Sequence, residues 1–254
     1  MLAEAGRLKL RPLCVYGSDT LPEGAVPSHV VDRCIARAIY ASALHGQTPP
    51  LYVEEAHEAC CSGGRMWMGF AEPHPKLKYF VTVGASDFRG GAAERLKAAP
   101  ELFDESKRRA GKITPPGRYV IIGPCSDDVP AESVRSLILF GGCEQIRNLC
   151  ALAQYNSSDP FFRTLIPWGA SCSTMITYPA GLAANATDSA AYVGPTDPTG
   201  NQWFPPDLMV MGIPIRLARQ MAADIGGSFI AKRDRIAFPE HRLPVKLPSI
   251  GTQE

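Results

Sequence analysis

The sequence predicts an α/β (or α+β) fold, a single compact domain with a mixed sheet and surrounding helices. Three observations carry that reading. Short strand-like apolar runs recur along the chain, and stretches with apolar residues at helical spacing lie between them. The two patterns mix without strict alternation, so a purely parallel doubly wound sheet is not required. No long linker divides the 254 residues, a length suited to one large domain with a sizeable core. The domain is expected over residues 1–238. Residues 239–254 hold three prolines and few apolar anchors, and are expected as a surface or mobile tail.

The elements follow in order. Lys9 to Tyr16 alternates as a first strand and ends at the Gly17-Ser18-Asp19 turn. Ser28 caps a helix whose stripe is Val31, Cys34, Ile35, Ala38 and Ser42, with Gly46 as its stop. Leu51–Val53 is extended. Cys60 to Gly64 reads as a bend, Tyr79–Val83 as a strand and Ala92–Ala110 as a helix. After the breaker Pro115-Pro116-Gly117 come strands at Tyr119–Ile122 and Leu137–Phe140, then a helix over about Glu144 to Tyr155. Ala170–Leu182 is expected to be helical around Cys172 until Pro179 ends it. Ala190–Val193 and Leu208–Ile213 read as strands, Ile215 to Ile225 as a helix and Ser228–Ala231 as a last strand.

Composition narrows the function classes. Lys and Arg number 26 against 25 Asp and Glu, a net charge of +1, so no nucleic-acid partner is expected. No apolar run approaches the roughly 18–20 residues of a membrane helix, so no membrane association is expected either. Met1 to Leu13 lacks the apolar stretch and small-residue cleavage site of a secretory signal, and the expected compartment is the cytoplasm. There, eight cysteines stand as thiols, metal ligands or redox groups rather than as staples. The Asn156 and Asn185 matches to the glycosylation pattern then carry no weight.

Several segments point to chemistry. In Cys61-Ser62-Gly63-Gly64 a thiol precedes two glycines, whose bare backbone can approach a ligand and direct N–H groups at it, with Arg65 beside them. The same residues also read as a tight turn around a buried thiol. Cys172 stands among the hydroxyls of Ser171, Ser173 and Thr174, a setting for a reactive or ligand-bound thiol. Cys34, Cys143 and Cys150 fall on apolar helix faces, and pattern alone assigns them to packing. The Gly141-Gly142 junction before a helix reads as a tight turn or an anion site. The polar stretch from Asn185 and Asp188 to Trp203 is either a binding loop or a solvated connector. Motifs for zinc ribbons, zincins, nucleotide loops and serine hydrolases are absent.

The order of these segments resembles the uncharacterised domain-of-unknown-function family 169 of archaea and anaerobic bacteria. Asp32 to Arg37, Gly46, Cys61 to Phe70, Ser136 to Phe140 with Gln145, Ala170 to Cys172 and Asp207 to Pro214 carry the resemblance. Cys60, Cys143 and the elaborate stretch from Tyr178 to Trp203 depart from the pattern. The resemblance transfers no reaction. It implies that Cys34 joins Cys61 and Cys172 as candidate metal ligands, with Gly63, Gly64, Arg65, Asn185 and Asp188 as candidate ligand-binding residues.

The leading expectation is a cytoplasmic metal- or iron–sulfur-binding protein of unknown reaction, a redox enzyme where the three thiolates leave one site open to substrate. One alternative is a metal-free small-molecule-binding protein using the Gly63-Gly64 bend and the Asn185–Trp203 loop. Another is a thiol enzyme with Cys61 or Cys172 as nucleophile and His57 as base. Oligomeric state is left open.

Overall fold

The computed structural model describes residues 1–46, 48–56, 61–126, 129–198 and 200–232. The expected tail from residue 239, together with His57 and Cys60, lies outside these residues. The strands are β1 (Leu13–Ser18), β2 (Val26–Pro27), β3 (Leu51–Val53), β4 (Tyr119–Pro124), β5 (Val134–Gly142), β6 (Thr164–Leu165), β7 (Ala191–Gly194) and β8 (Leu208–Pro214). They form one mixed sheet in the order β2-β3-β4-β1-β5-β8-β7-β6. Its middle is antiparallel, and the outermost pairs β2–β3 and β6–β7 are parallel. The N-terminal strand β1 therefore lies between two strands of the second half, which ties both halves into one hydrogen-bonded unit.

The helices are α1 (Leu2–Ala5), α2 (Ser28–Val31), α3 (Ile35–His45), α4 (Ser62–Trp67), α5 (Leu77–Val81), α6 (Pro100–Ala110), α7 (Cys143–Gln154), α8 (Ile215–Asp224) and α9 (Phe229–Lys232). They cover both faces of the sheet, and strand alternation decides which residues each face receives. Leu13 and Val15 of β1, Ile138 and Phe140 of β5 and Val210 of β8 pack with Ile35 and Ile39 of α3 and with Met66 and Trp67 of α4. Leu139, Met211 and Ile213 point the other way, onto α7 and α8. The mixed sheet between helical layers is the architecture that the sequence predicts. Among the described residues no helix is long and apolar enough to cross a membrane.

Several elements differ from the sequence reading. The expected helix from Ser28 to Gly46 breaks at Asp32, which is extended (φ −158°, ψ 144°). Its carboxylate accepts the Cys34 N–H at 2.7 Å, and this local bond restarts the helix with Cys34 as N-cap. The expected strand at Tyr79–Val83 is instead the last turn of helix α5, which ends at Val81, because Leu77, Phe80 and Val81 have helical spacing and all face one cavity. The helix expected over Ala92–Ala110 begins only at Pro100, since Ala99 before the proline is forced extended (φ −149°, ψ 151°). Ser228–Ala231 falls at helix α9, not in a strand.

Around Cys172 the expected helix is present in a widened form, a π-helical turn at Ser173–Thr177. It lies against β8 at Gly212, where a Cβ would collide with the Thr174 carbonyl and stand 2.6 Å from Pro179 Cγ. Cys150 is partly buried on α7 as expected, but Cys143 is exposed, because the first turn of that helix stands clear of the core.

Because β1 completes a sheet with β4 and β5, the chain is predicted to unfold as one unit. Limited proteolysis should not yield two stable fragments divided near residues 115–117. Their recovery would refute a common core.

Candidate functional site

The centre of the site is where α3 and α4 begin. Cys34 is the N-cap of α3 and Cys61 the N-cap of α4. The Cys61 N–H donates to the Arg33 carbonyl at 2.9 Å, which holds the two helix starts together. Gly63 and Gly64, expected in a bend, lie within α4 and have no positive φ. Tertiary packing overrides their poor helix propensity. At Gly64 a Cβ would collide with the Ile35 side chain and come within 2.9 Å of Cys61 Sγ, so the close approach of α4 to α3 requires glycine there. Nothing lies within 4 Å of a Cβ at Gly63.

The two thiols sit close enough to shift each other in opposite directions. Cys61 Sγ accepts from Cys34 and from the backbone N–H groups of Ile35 and Gly64, and these bonds outweigh burial to lower its pKa to about 6. Cys34, as donor, is pushed up, first by that bond and then by burial. The pair thus divides its roles, with Cys61 the thiolate and Cys34 the thiol that supports it.

Both cysteines line a cavity of about 270 Å³. Its apolar wall includes Trp67 of α4, Phe80 of α5, Phe103 of α6 and Trp168, with Phe103 and Trp168 packed edge to face at 5.8 Å. Lys97 Nζ stands 4.3 Å from the Trp168 ring centre, and Arg89 lies 4.4 Å from that of Phe80. Cys172 also lines the cavity. It is buried, and desolvation pushes its thiol well up, so it presents a neutral S–H.

Asp197 supplies the principal polar feature of the wall. Ser171 Oγ donates to its carboxylate at 2.6 Å, and Asn201 Nδ2 donates to its backbone carbonyl at 2.9 Å and to the carboxylate. Burial pushes the Asp197 carboxyl up despite these donors.

The structure therefore brings Cys34, Cys61 and Cys172 to one cavity, along with Gly63 and Gly64. Arg65 turns away and donates to the Glu55 carbonyl at 2.6 Å. Asn185 and Asp188 are elsewhere. Asn185 donates to the Arg109 carbonyl at 2.9 Å, and Asp188 pairs with Arg216 at 3.2 Å on the surface. The first half of the Asn185–Trp203 loop is thus a structural tie, while its second half brings Asp197 and Asn201 to the cavity. The Gly141-Gly142 junction is closed by its own helix, since Gln145 Oε1 accepts the Gly142 N–H at 2.8 Å.

Among the described residues, no three His, Cys, Asp or Glu side chains are arranged to share a metal ion. Sequence reasoning missed Asp197 and Asn201 as individual residues, and the aromatic wall altogether. Arg65-Met66-Trp67-Met68, apolar on both sides of a half turn, was the available signal for the wall.

The fold and cavity define a class: a mixed-sheet domain with a thiol pair at the wall of an apolar chamber. The chain belongs to domain-of-unknown-function family 169, described as uncharacterised ArCR, whose model matches residues 1–224. No curated protein and no solved structure matches it.

Helix packing and the Cys61 thiol are each open to direct test. Gly64→Val should cost about 1–3 kcal/mol through overpacking, whereas Gly63→Ala should be stabilising by about 0.5–1 kcal/mol through helix propensity, both read by urea unfolding. Cys61 should alkylate with a pH midpoint near 6, and Cys34→Ala should raise that midpoint toward the ordinary thiol value. The same depressed pKa makes stability rise with pH between about 6 and the unfolded thiol's value near 8.5, and fall as pH drops through 6.

Proposed function

We propose that the protein is a thiol-dependent enzyme acting on a small, largely apolar molecule held in the cavity, with Cys61 as nucleophile. The observation that carries this reading is the meeting of the two helix starts capped by Cys34 and Cys61 at the wall of an apolar chamber, a setting that lowers the Cys61 thiol and keeps a thiolate ready beside a bound molecule. The substrate class is one with a soft electrophilic centre, such as a disulfide sulfur or a thioester carbon. Cys61 Sγ forms a bond to that centre as the leaving thiolate departs.

Cys34 holds the thiolate in place and is a positioning residue. Asp197, held in the cavity wall by Ser171 and Asn201, is the acidic group placed to hydrogen-bond a donor on the bound molecule. Trp67, Phe80, Phe103 and Trp168 supply the apolar contact that holds the rest of the molecule and excludes water.

The convergence of Cys34, Cys61 and Cys172 on one cavity supports a second reading, a thiolate-bound metal ion or iron–sulfur cluster. It asks more of the fold, because the sulfurs would have to close inward to share one centre.

One pair of measurements separates the two. On the thiol reading, an aryl disulfide at pH 7 should label Cys61 in a fast phase distinct from that of the exposed Cys125 and ahead of the remaining cysteines, and Cys61→Ala should abolish that phase alone. Labelling of all exposed thiols at one rate would sink it. Stoichiometric metal and sulfide in protein purified without oxygen, lost in Cys34→Ser, Cys61→Ser and Cys172→Ser but kept in Cys150→Ser, would establish the second reading instead.

A further inference from the structure

We infer that Cys14 and Cys125 form a second thiol pair, an oxidative modification site that closes to a disulfide by exchange with a low-molecular-weight dialkyl disulfide. The pair lies on the other face of the sheet from the cavity. Leu13 and Val15 of β1 face the cavity's core, and Cys14 between them points oppositely, into a cluster with Tyr16, Tyr119 and Ile121.

The register pairs Cys14 with Gly123. Cys125 is two residues further along, hence on the same face, and just beyond Pro124 at the end of β4. Cys14 Sγ donates to the carbonyl of Pro124, the residue before Cys125, at 3.6 Å, which sets the buried thiol beside its neighbour. A diagonal cross-strand pair spans about 7–8 Å at Cα. A disulfide needs about 1 Å less, and Cys125 stands past the ladder, where its backbone can make that adjustment.

The roles within the pair are set by exposure. Cys14 is buried and Cys125 exposed, so an oxidant meets Cys125 first. Cys125 shares a surface groove with Arg11. The Cys14 hydrogen bond, then the Arg11 charge, hold the Cys125 thiol below its ordinary range.

In the reaction, the Cys125 thiolate attacks one sulfur of the dialkyl disulfide, whose S–S bond breaks to release an alkyl thiolate. That thiolate takes the Cys14 proton. Cys14 Sγ then attacks Cys125 Sγ and displaces the second alkyl thiolate. Two protein thiols are oxidised, and one external disulfide is reduced to a thiol and a thiolate.

This inference is independent of the cavity chemistry, and its test is arranged accordingly. The reduced full chain is incubated with oxidised glutathione and mapped by peptide mass spectrometry. A cross-linked Cys14–Cys125 peptide pair is expected in the wild type and equally in Cys61→Ala. It should be absent in the exposed-site variant Cys125→Ser, and Cys14→Ser should accumulate the mixed disulfide on Cys125. Should Cys14→Ser not fold, the wild-type time course decides alone. A stable glutathione adduct on Cys125 with Cys14 left as a free thiol, or neither residue modified, would overturn the inference.

Discussion

The site depends on the close approach of two helix starts, with Gly64 of α4 set against Ile35 of α3. That contact brings the N-caps of both helices together and directs backbone N–H groups from each at one sulfur. A thiolate beside an apolar chamber would otherwise be costly, since burial favours the neutral form. Here the Cys34 thiol and the Ile35, Gly64 and Cys61 amides together outweigh burial. The amides are fixed by the helices that carry them, so their orientation needs no rearrangement when charge is present. The electrostatics of the cavity are thus a consequence of backbone packing.

Cys172 supplies the contrast. It faces the same chamber, but desolvation comes first among the influences on it and the neighbouring Cys61 charge acts in the same direction. Two of the three hydroxyls beside it in sequence are engaged elsewhere, and Thr174 Oγ1 is buried without a hydrogen-bond partner among the described residues. Ser171 Oγ donates to Asp197, and Ser173 Oγ donates to the Ala170 carbonyl at 2.6 Å. A polar neighbourhood in sequence therefore does not make a reactive thiol. Which group the hydroxyls serve is decided by the π-helical turn and by the loop that brings in Asp197.

Much of the fold could be read from the sequence where local pattern and tertiary demand agree. β1, β4, β5, β7 and β8 combine apolar runs with clear breakers, and Gly46 ends α3 in the left-handed conformation (φ 68°) that its residue type favours. Reading failed where a side chain acted over a distance too short for periodicity to register. The Asp32 carboxylate splits one helix into two, and Pro100 denies helix to the residue before it. It failed also where packing overrode propensity, as in the two glycines of α4. For the site, Cys34 shows the limit most clearly. Its spacing marks a core position, and only the resemblance to the family, not periodicity, placed it with Cys61 and Cys172. Asn185 and Asp188 have the right chemistry in a promising loop, yet their partners are Arg109 and Arg216, outside the cavity.

The sheet gives the two thiol pairs separate environments. A side-chain period of two sends Leu13 and Val15 toward the cavity's core and Cys14 away from it, so adjacent residues of one strand serve opposite faces. Phe140 and Ile138 of β5 fill the space under the cavity side, while Leu139 belongs to the α7–α8 side. Close-packed strands of this kind leave no path for a small molecule from one face to the other. Cys34–Cys61 and Cys14–Cys125 therefore meet different reagents. On the proposed chemistry, the first pair is open to what the apolar chamber admits, and the second to a thiol reagent that reaches the exposed end of β4. Both pairs follow one construction, a donor thiol against an acceptor thiol whose pKa it lowers, and the surrounding fold alone sets them apart.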